Sequence, residues 1–324
     1  MTALEARAAE DYMVVDFPVA ATFDWDYASR EPQLRRLYEQ GKASQWNAVT
    51  DIDWSAAVEF GQPLADGSGP RPAGPRGPDC PVPDELWHQY GWEFHAWMTS
   101  QFLHGEQGAL IATARLVETV PGIDNKLYAA SQVADEARHV EAFSMYMERL
   151  GHAYPVNPAL AALLSDIMTG ERWDLTYLGM QIVVEGLALA AFRLGQDTAP
   201  DPVIRQITRY VARDEARHVA YGVLALRGLY DELTSAERAV AEEFVMEASL
   251  LMARRFRLDE VWERLGIDVA AGVAYANTDP GFVDYRRLMF AKIVTNLEHL
   301  GLLTGPVRAH LRQLMLMRGA ADAH

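Results

Sequence analysis

One cysteine, Cys80, is all this chain of 324 residues carries. A disulfide framework is excluded, and a reducing cytoplasmic setting is the expectation. Metal ligation, if there is any, must come from His, Asp and Glu. Positive charge is also short: the formal net charge is −16. A nucleic-acid substrate, whose phosphates demand a basic surface, is excluded on that ground, and anionic membranes are disfavoured. Part of the acidity is ordinary solubility; the rest is available for metal-binding carboxylates. The N-terminus, MTALEARAAEDY, lacks the basic-then-apolar order of a secretion signal. No apolar stretch approaches the roughly 20 residues expected of a membrane span. Neither a cysteine cluster nor a glycine-rich dinucleotide loop is present, so electrons for any redox chemistry must come from a separate protein. Strand-like alternation is missing beyond a few residues.

Half the residues are hydrophobic, enough for a sizeable core. Residues 1–83 read as an irregular N-terminal arm with a Pro/Gly-rich linker at 63–83. One short helix is expected in the arm, Glu31 to Gly41. The aromatics of Gln45-Trp46-Asn47-Ala48-Val49-Thr50-Asp51-Ile52-Asp53-Trp54 are expected to pack on the rest of the protein. Residues 84–324 read as one helical domain, starting at Pro83-Asp84-Glu85 with Asp84 as N-cap. Long helices are expected near 84–120, 123–150, 172–198, 202–231, 235–266 and 281–300, with shorter ones at 157–168 and 305–318. Long helices joined by short turns imply an all-α bundle.

Within it the sequence repeats itself at an offset of 79. Asp135-Glu136-Ala137-Arg138-His139-Val140 matches Asp214-Glu215-Ala216-Arg217-His218-Val219. The same offset places Glu106 on Glu185, Ala109 on Ala188, Leu110 on Leu189, Ala112 on Ala191, Thr119 on Thr198 and Pro121 on Pro200. A duplicated helical hairpin explains all of these without gaps.

Glu106 and Glu136 lie 15 residues either side of Pro121, and Glu185 and Glu215 lie 15 either side of Pro200. If each proline marks the turn, both glutamates of a hairpin stand roughly 20 Å from it, level with each other. Glu136 and His139, like Glu215 and His218, are three apart and share a helix face. Two hairpins packed face to face gather four glutamates and two histidines at one height. That is the ligand set of a di-iron or di-manganese carboxylate site in a four-helix bundle. A lone Glu-x-x-His carries no weight, since chance supplies on the order of one in a chain this long. The doubled motif, with a glutamate 30 residues upstream each time, is specific. The alternative, a solvated salt-bridging face, conflicts with the apolar neighbours of Glu106 and Glu185, where an unpaired carboxylate is costly. Asp135 and Asp214 are placed to accept from the other ring nitrogen of the histidines across the hairpin pair, with Arg138 and Arg217 holding those aspartates.

These residues resemble the ferritin-like di-iron carboxylate superfamily. The doubled Asp-Glu-Ala-Arg-His form is similar to the hydroxylase subunits of bacterial multicomponent monooxygenases. Ribonucleotide reductase small subunits, acyl-carrier-protein desaturases and arylamine N-oxygenases share the six-ligand plan. The resemblance covers about residues 85–230. It implies that Glu106, Glu136 and His139 bind one metal and Glu185, Glu215 and His218 the other, with Glu136 and Glu215 bridging. It implies two iron ions, or a Mn/Fe pair, and dioxygen as co-substrate. A small organic substrate would be hydroxylated, N-oxygenated or desaturated, with a reductase or ferredoxin as electron donor. A homodimer is implied by analogy.

Departures narrow this. Phe143 stands where reductase subunits carry a radical tyrosine, which disfavours radical storage, although Tyr128, Tyr146, Tyr177 and Tyr210 are candidates for nearby positions. Leu189 stands where the monooxygenases have a threonine that handles protons. Val211 stands where arylamine N-oxygenases carry an extra histidine. Phe102, Leu110, Phe143, Gln181 and Leu189, one turn from the ligands, are expected to line a substrate pocket. A carrier-dependent desaturase would need a basic patch, for which Arg35-Arg36, Arg254-Arg255-Arg257 and Arg286-Arg287 are the candidates. Iron storage or peroxide scavenging, as in ferritins and rubrerythrins, and a radical generator are the competing functions; the long arm and the helices beyond residue 234 argue against the first.

Overall fold

The computed structural model describes residues 21–318 apart from 24, 57, 65–66, 71–75, 171 and 200. Among the described residues there is no strand. In the arm, α1 spans Pro32–Ala43. A 3-10 turn, Asp84–Leu86, leads into α2, Trp87–Thr119, and α3 follows at Ile123–Leu150. Asp84 does not cap the helix as expected: it makes no capping hydrogen bond, and its exposed carboxylate pairs with Arg76 instead.

Local signals explain most boundaries. Gly122 (φ 79°) and Gly151 (φ 66°) open and close α3 in conformations that disfavour a side chain. Asn157 accepts from the backbone N–H of Ala159 and Leu160 to start α4, Pro158–Thr169, with Pro158 in the first turn. Asp201 does the same through Val203 for α6, Pro202–Leu226. Thr234 and Glu237 form a reciprocal capping box on α8, Ser235–Arg255. Asp279 caps α11, Pro280–His299, and α12 spans Gly305–Gln313.

Three boundaries differ from expectation. The helix expected over 202–231 breaks at Gly228 (φ 77°), leaving a short α7, Leu229–Glu232. The one expected over 235–266 ends at Arg255. Leu258 (φ 59°) then turns the chain into α9, Asp259–Arg264. An unanticipated α10, Val269–Thr278, packs on α9 through Gly272, where an added Cβ would lie 2.4 Å from the Trp262 ring.

The helix α5 runs Trp173–Thr198. It is long and apolar enough to cross a membrane, contrary to expectation. Its most apolar stretch is 83% buried inside the protein. A helix packed on every side is apolar on every side, whatever its surroundings. Its stretch Leu178–Val184 is π-helical. Gly222 of α6 lies so close that a Cβ there would come within 2.5 Å of Gln181 Cβ.

The bundle pairs α2 with α3 and α5 with α6, as the duplicated hairpin requires, and brings α3 against α6. Helix α11 covers α5, α8 lies on α4 and α5, and α1 straddles α3 and α6.

Candidate metal centre

Glu106 on α2, Glu136 and His139 on α3, Glu185 on α5, and Glu215 and His218 on α6 all point into the middle of the bundle. None is more than 5% exposed. Candidate ligand atoms of Glu106, Glu136, His139 and Glu215 lie within 4.8 Å of one another, as do those of Glu136, Glu185 and His218. Glu136 belongs to both groups. The two imidazole rings are 5.8 Å apart, centre to centre.

Each histidine turns Nδ1 inward. His139 Nδ1 is 3.1 Å from Glu106, 3.3 Å from Glu136 and 3.4 Å from Glu215. His218 Nδ1 is 3.1 Å from Glu136 and 3.5 Å from Glu215. The outward nitrogens cross between hairpins. His139 Nε2 is 3.3 Å from Asp214 Oδ2, and His218 Nε2 is 3.3 Å from Asp135 Oδ2. A proton on Nε2 leaves the Nδ1 lone pair for a cation. Arg217 bonds both aspartates, at 3.2 Å and 2.7 Å; Arg138 pairs with Asp135 and lies 3.6 Å from Asp214.

Packed this closely, two of the four glutamates are pushed toward neutrality, while Glu136, despite its burial, is held low by His218 and His139. Burial pushes Glu106 up to about 8, against the pull of His139. Burial, then the negative Glu215, raises Glu185 well above the carboxylate range. Burial opposes ionisation of Asp214 too, but His139 and Arg217 hold it low. Glu136 Oε2, Glu185 Oε2, Glu215 Oε2 and His218 Nδ1 are buried without a hydrogen-bond partner. Four orphaned acceptors facing one another are costly unless cations satisfy them, and hard oxygen donors with imidazole suit iron or manganese. The donor set fits a di-metal group.

Several supporting residues escaped the sequence. Gln132 Nε2 donates to Glu136 at 3.0 Å and to Glu185 at 2.8 Å, tying two helices of the layer together. Its partner at the repeat offset is Val211, so the two halves differ at this level. From the arm, Trp46 Nε1 donates to Asp214 Oδ2 at 2.7 Å, and Gln45 Nε2 to Asp135 at 3.1 Å. The expected packing of arm aromatics is thus a contact with the centre itself; nothing in the spacing of Trp46 signalled it.

A small cavity, about 30 Å³, adjoins Glu106, Glu185 and Glu215. Of the expected lining residues Phe102 is there, joined by Ala109, Leu160, Val184, Leu187 and Ala188. Leu110, Phe143, Gln181 and Leu189 are not. Phe143 is consumed in an aromatic layer with Phe102 and Phe192. Gln181 is buried at the Gly222 contact, and Leu189 faces a different depression beside α11. The arginine pairs do not form basic patches: Arg255 and Arg286 are buried, and Arg35 is bonded to Asp124.

Residues 111–301 match the family described as p-aminobenzoate N-oxygenase AurF. The matched segment holds five of the six clustered acids and histidines and stops short of Glu106. Among solved structures the chain is similar to R2-like ligand-binding oxidase variants. One carries a non-activated Mn/Mn cofactor (16% identity, TM-score 0.51, covering 86% of this chain and 94% of that one). A second carries an anaerobically reconstituted Mn/Fe cofactor (18% identity, TM-score 0.50, covering 86% and 96%). At such identities the likeness concerns the fold, which is ferritin-like. No curated protein matches the sequence closely enough to count as a relative. With 111–301 spanning more than half of it, the chain belongs to the AurF family of ferritin-like di-iron carboxylate proteins and is an oxidoreductase.

Proposed function

We propose that Glu106, Glu136, His139, Glu185, Glu215 and His218 hold two iron ions, or a Mn/Fe pair, and that the protein uses dioxygen to oxidise a small organic molecule. N-oxygenation of an aromatic amine is the first candidate, following the family's description; hydroxylation and desaturation are the alternatives. One observation carries the reading: six buried donors in one layer, with both imidazoles oriented by crossed aspartates. Glu106 and His139 would serve one metal, Glu185 and His218 the other. Glu136 and Glu215, each near both histidines, would bridge.

When bound, the reduced metal pair supplies the electrons that activate dioxygen. The chain's own part is to orient and insulate. Asp135 and Asp214 fix the imidazole tautomers, Arg138 and Arg217 balance the aspartates, and Gln132 holds Glu136 and Glu185 in place. The apolar cavity walls keep bulk water from the reacting atoms. Inserting one oxygen atom and releasing the other as water takes two electrons and two protons, for which a reductase or ferredoxin is the expected source. Within this reading residues 1–83 are an arm serving the metal domain 84–324, the protein is cytoplasmic, and it forms a homodimer by analogy.

Metal analysis of the purified protein tests the ligand set, with about two metals per chain expected and near-complete loss in Glu136→Ala. Incubation with a chemical reductant, dioxygen and 4-aminobenzoate, followed by mass spectrometry, tests the reaction. Full metal occupancy in the variant would overturn the assignment. A metal-loaded protein that consumes peroxide yet oxidises no organic molecule would overturn the oxygenase reading.

A further inference from the structure

The two hairpins point opposite ways, since Tyr221, beyond His218 on α6, donates at 2.9 Å to the Asn125 carbonyl near Pro121. Matching positions of the repeat therefore fall on opposite sides of the metal layer. Toward Pro121 five of them are polar: Asn125, Tyr128 and Gln132 on α3, Thr113 on α2 and Gln181 on α5. Their counterparts 79 positions away, on the side of Pro200, are Ile204, Ile207, Val211, Phe192 and Phe102. Phe102 lines the cavity beside Glu106, and Phe192 packs on it. The same places in the bundle can thus be filled by apolar side chains, and on one side they are not.

Nor does the protein satisfy those polar groups. Thr113, Tyr128, Gln132 and Gln181 are at most 1% exposed. Yet both hydroxyls, both amide atoms of Gln181 and Oε1 of Gln132 lack a hydrogen-bond partner, as does Oδ1 of half-buried Asn125. Other threonines behave differently: Thr99, Thr119, Thr198 and Thr208 each return the hydroxyl to a carbonyl of their own helix. The unpartnered atoms follow a line. Asn125, Tyr128, Gln132 and Glu136 are three or four apart and share one face of α3, a run of roughly 16 Å. Thr113 is level with Tyr128, eight residues before Pro121 against seven after it. Gln181 enters against Gly222, one turn from Glu185. The inner end is the bond from Gln132 to Glu136 and Glu185; the outer end, Asn125, is at the surface turn.

We propose that Thr113, Tyr128, Gln132 and Gln181 hold a file of water molecules running from Asn125 to the metal layer, and that the protons consumed in the oxidation enter along it. The inference rests on the di-metal reading above. Buried polar atoms without partners are costly, and a buried water answers them by making a few hydrogen bonds at once. Along such a file each oxygen accepts one proton and passes on another. A proton taken from solvent at Asn125 therefore appears at the metal layer, and every group between ends neutral. The hydroxyls of Thr113 and Tyr128 both donate and accept, so they can stand in the file; the two amides orient the waters without passing protons. Two protons are needed for each oxygen atom inserted, and they arrive from the polar side. The molecule to be oxidised sits among the apolar side chains of the other side, shielded from that water. Leu189, which offers no hydroxyl, lies on the apolar side.

A high-resolution crystal structure of the metal-loaded protein tests the first half: ordered waters should bond Gln181, Gln132 Oε1 and the Tyr128 or Thr113 hydroxyl. Kinetics test the second. Chemically reduced, metal-loaded protein is mixed with dioxygen, and reoxidation of the metals is followed by absorbance in light and in heavy water. Thr113→Val combined with Gln181→Met should remove the waters, keep the metals, slow reoxidation by about ten-fold or more and enlarge the solvent isotope effect. Tyr128→Phe, which removes one oxygen atom and leaves the ring, should act in the same direction, and it decides the matter if the double variant fails to fold. Phe192→Leu, on the apolar side, should leave the isotope effect as it is. A dry layer in the wild-type structure overturns the inference. So do variants that lose the waters with rate and isotope effect unchanged. Metal-loaded protein failing these tests sinks this inference alone; a protein that takes up no metal sinks the di-metal reading and this with it.

Discussion

Trp46 of the arm donates its indole N–H to Asp214 at 2.7 Å, and the same carboxylate oxygen lies 3.3 Å from His139 Nε2. A residue 168 positions away in sequence therefore helps to orient an imidazole of the cluster. Hydrogen bonds to a buried charged group are worth about 1.5–3 kcal/mol. Trp46→Phe keeps the ring and loses the donor. It should lower stability by about that amount in a denaturant titration, and an unchanged midpoint would show that Asp214 is held well enough without it.

Asp135 and Asp214 act on the histidines from opposite hairpins, so replacing either should weaken metal binding rather than abolish it. For Asp214→Asn a loss of about 10- to 100-fold in affinity is expected, read by competition with a chelator.

Loading metal should release protons. In the metal-free pocket burial pushes Glu106 up to about 8, so it carries a proton at pH 7, and burial raises Glu185 well above the ordinary carboxylate range. Cation binding requires their carboxylate forms. Proton release in weakly buffered solution at pH 7, and metal affinity that falls as pH falls, are the expected outcomes. Loading that leaves the pH unchanged would contradict the burial of these groups.

A separate pH dependence comes from His95. Its Nε2 contacts the Tyr146 hydroxyl at 2.6 Å, which donates in turn to Asp201 at the start of α6. Burial pushes His95 down to about 4, against the attraction of Asp201. The unfolded chain, with an ordinary histidine near 6.5, binds the proton more readily. Stability contributed by neutral His95 is therefore present above about pH 6.5 and lost as pH falls toward 4, by at most about 3 kcal/mol. His95→Gln should flatten the stability profile across that window; an equally steep profile would place the titration elsewhere.

Gly222 marks a close approach of α6 to the π-helical stretch that precedes Glu185. Gly222→Ala puts a Cβ 2.5 Å from Gln181 Cβ, and neither backbone yields easily. We expect destabilisation of about 1–3 kcal/mol with weakened metal binding, seen as a lower melting temperature and reduced metal content. A variant matching wild type in both would mean that the two helices separate at little cost.

The sequence by itself determined the hairpins, their duplication and which residues share a face. Those features depend on backbone geometry that repeats every turn: Glu136 and His139 fall together because three residues nearly complete one, and Glu106 comes level with Glu136 because both count fifteen from Pro121. The turns at Pro121 and Pro200 act within a few positions, and they too were legible. Tertiary structure alone decided the rest. Leu258 turns left-handed and the Leu178–Val184 stretch takes five-residue hydrogen bonding, where close packing outweighs local preference. Trp46 and Gln132 reach the centre, and Asp84 pairs with an arginine instead of capping its helix. Arg255, one of three neighbouring arginines that read alike along the chain, is the one buried at the cavity wall. Which of several similar side chains is desolvated depends on the angles between helices, and no local periodicity records those.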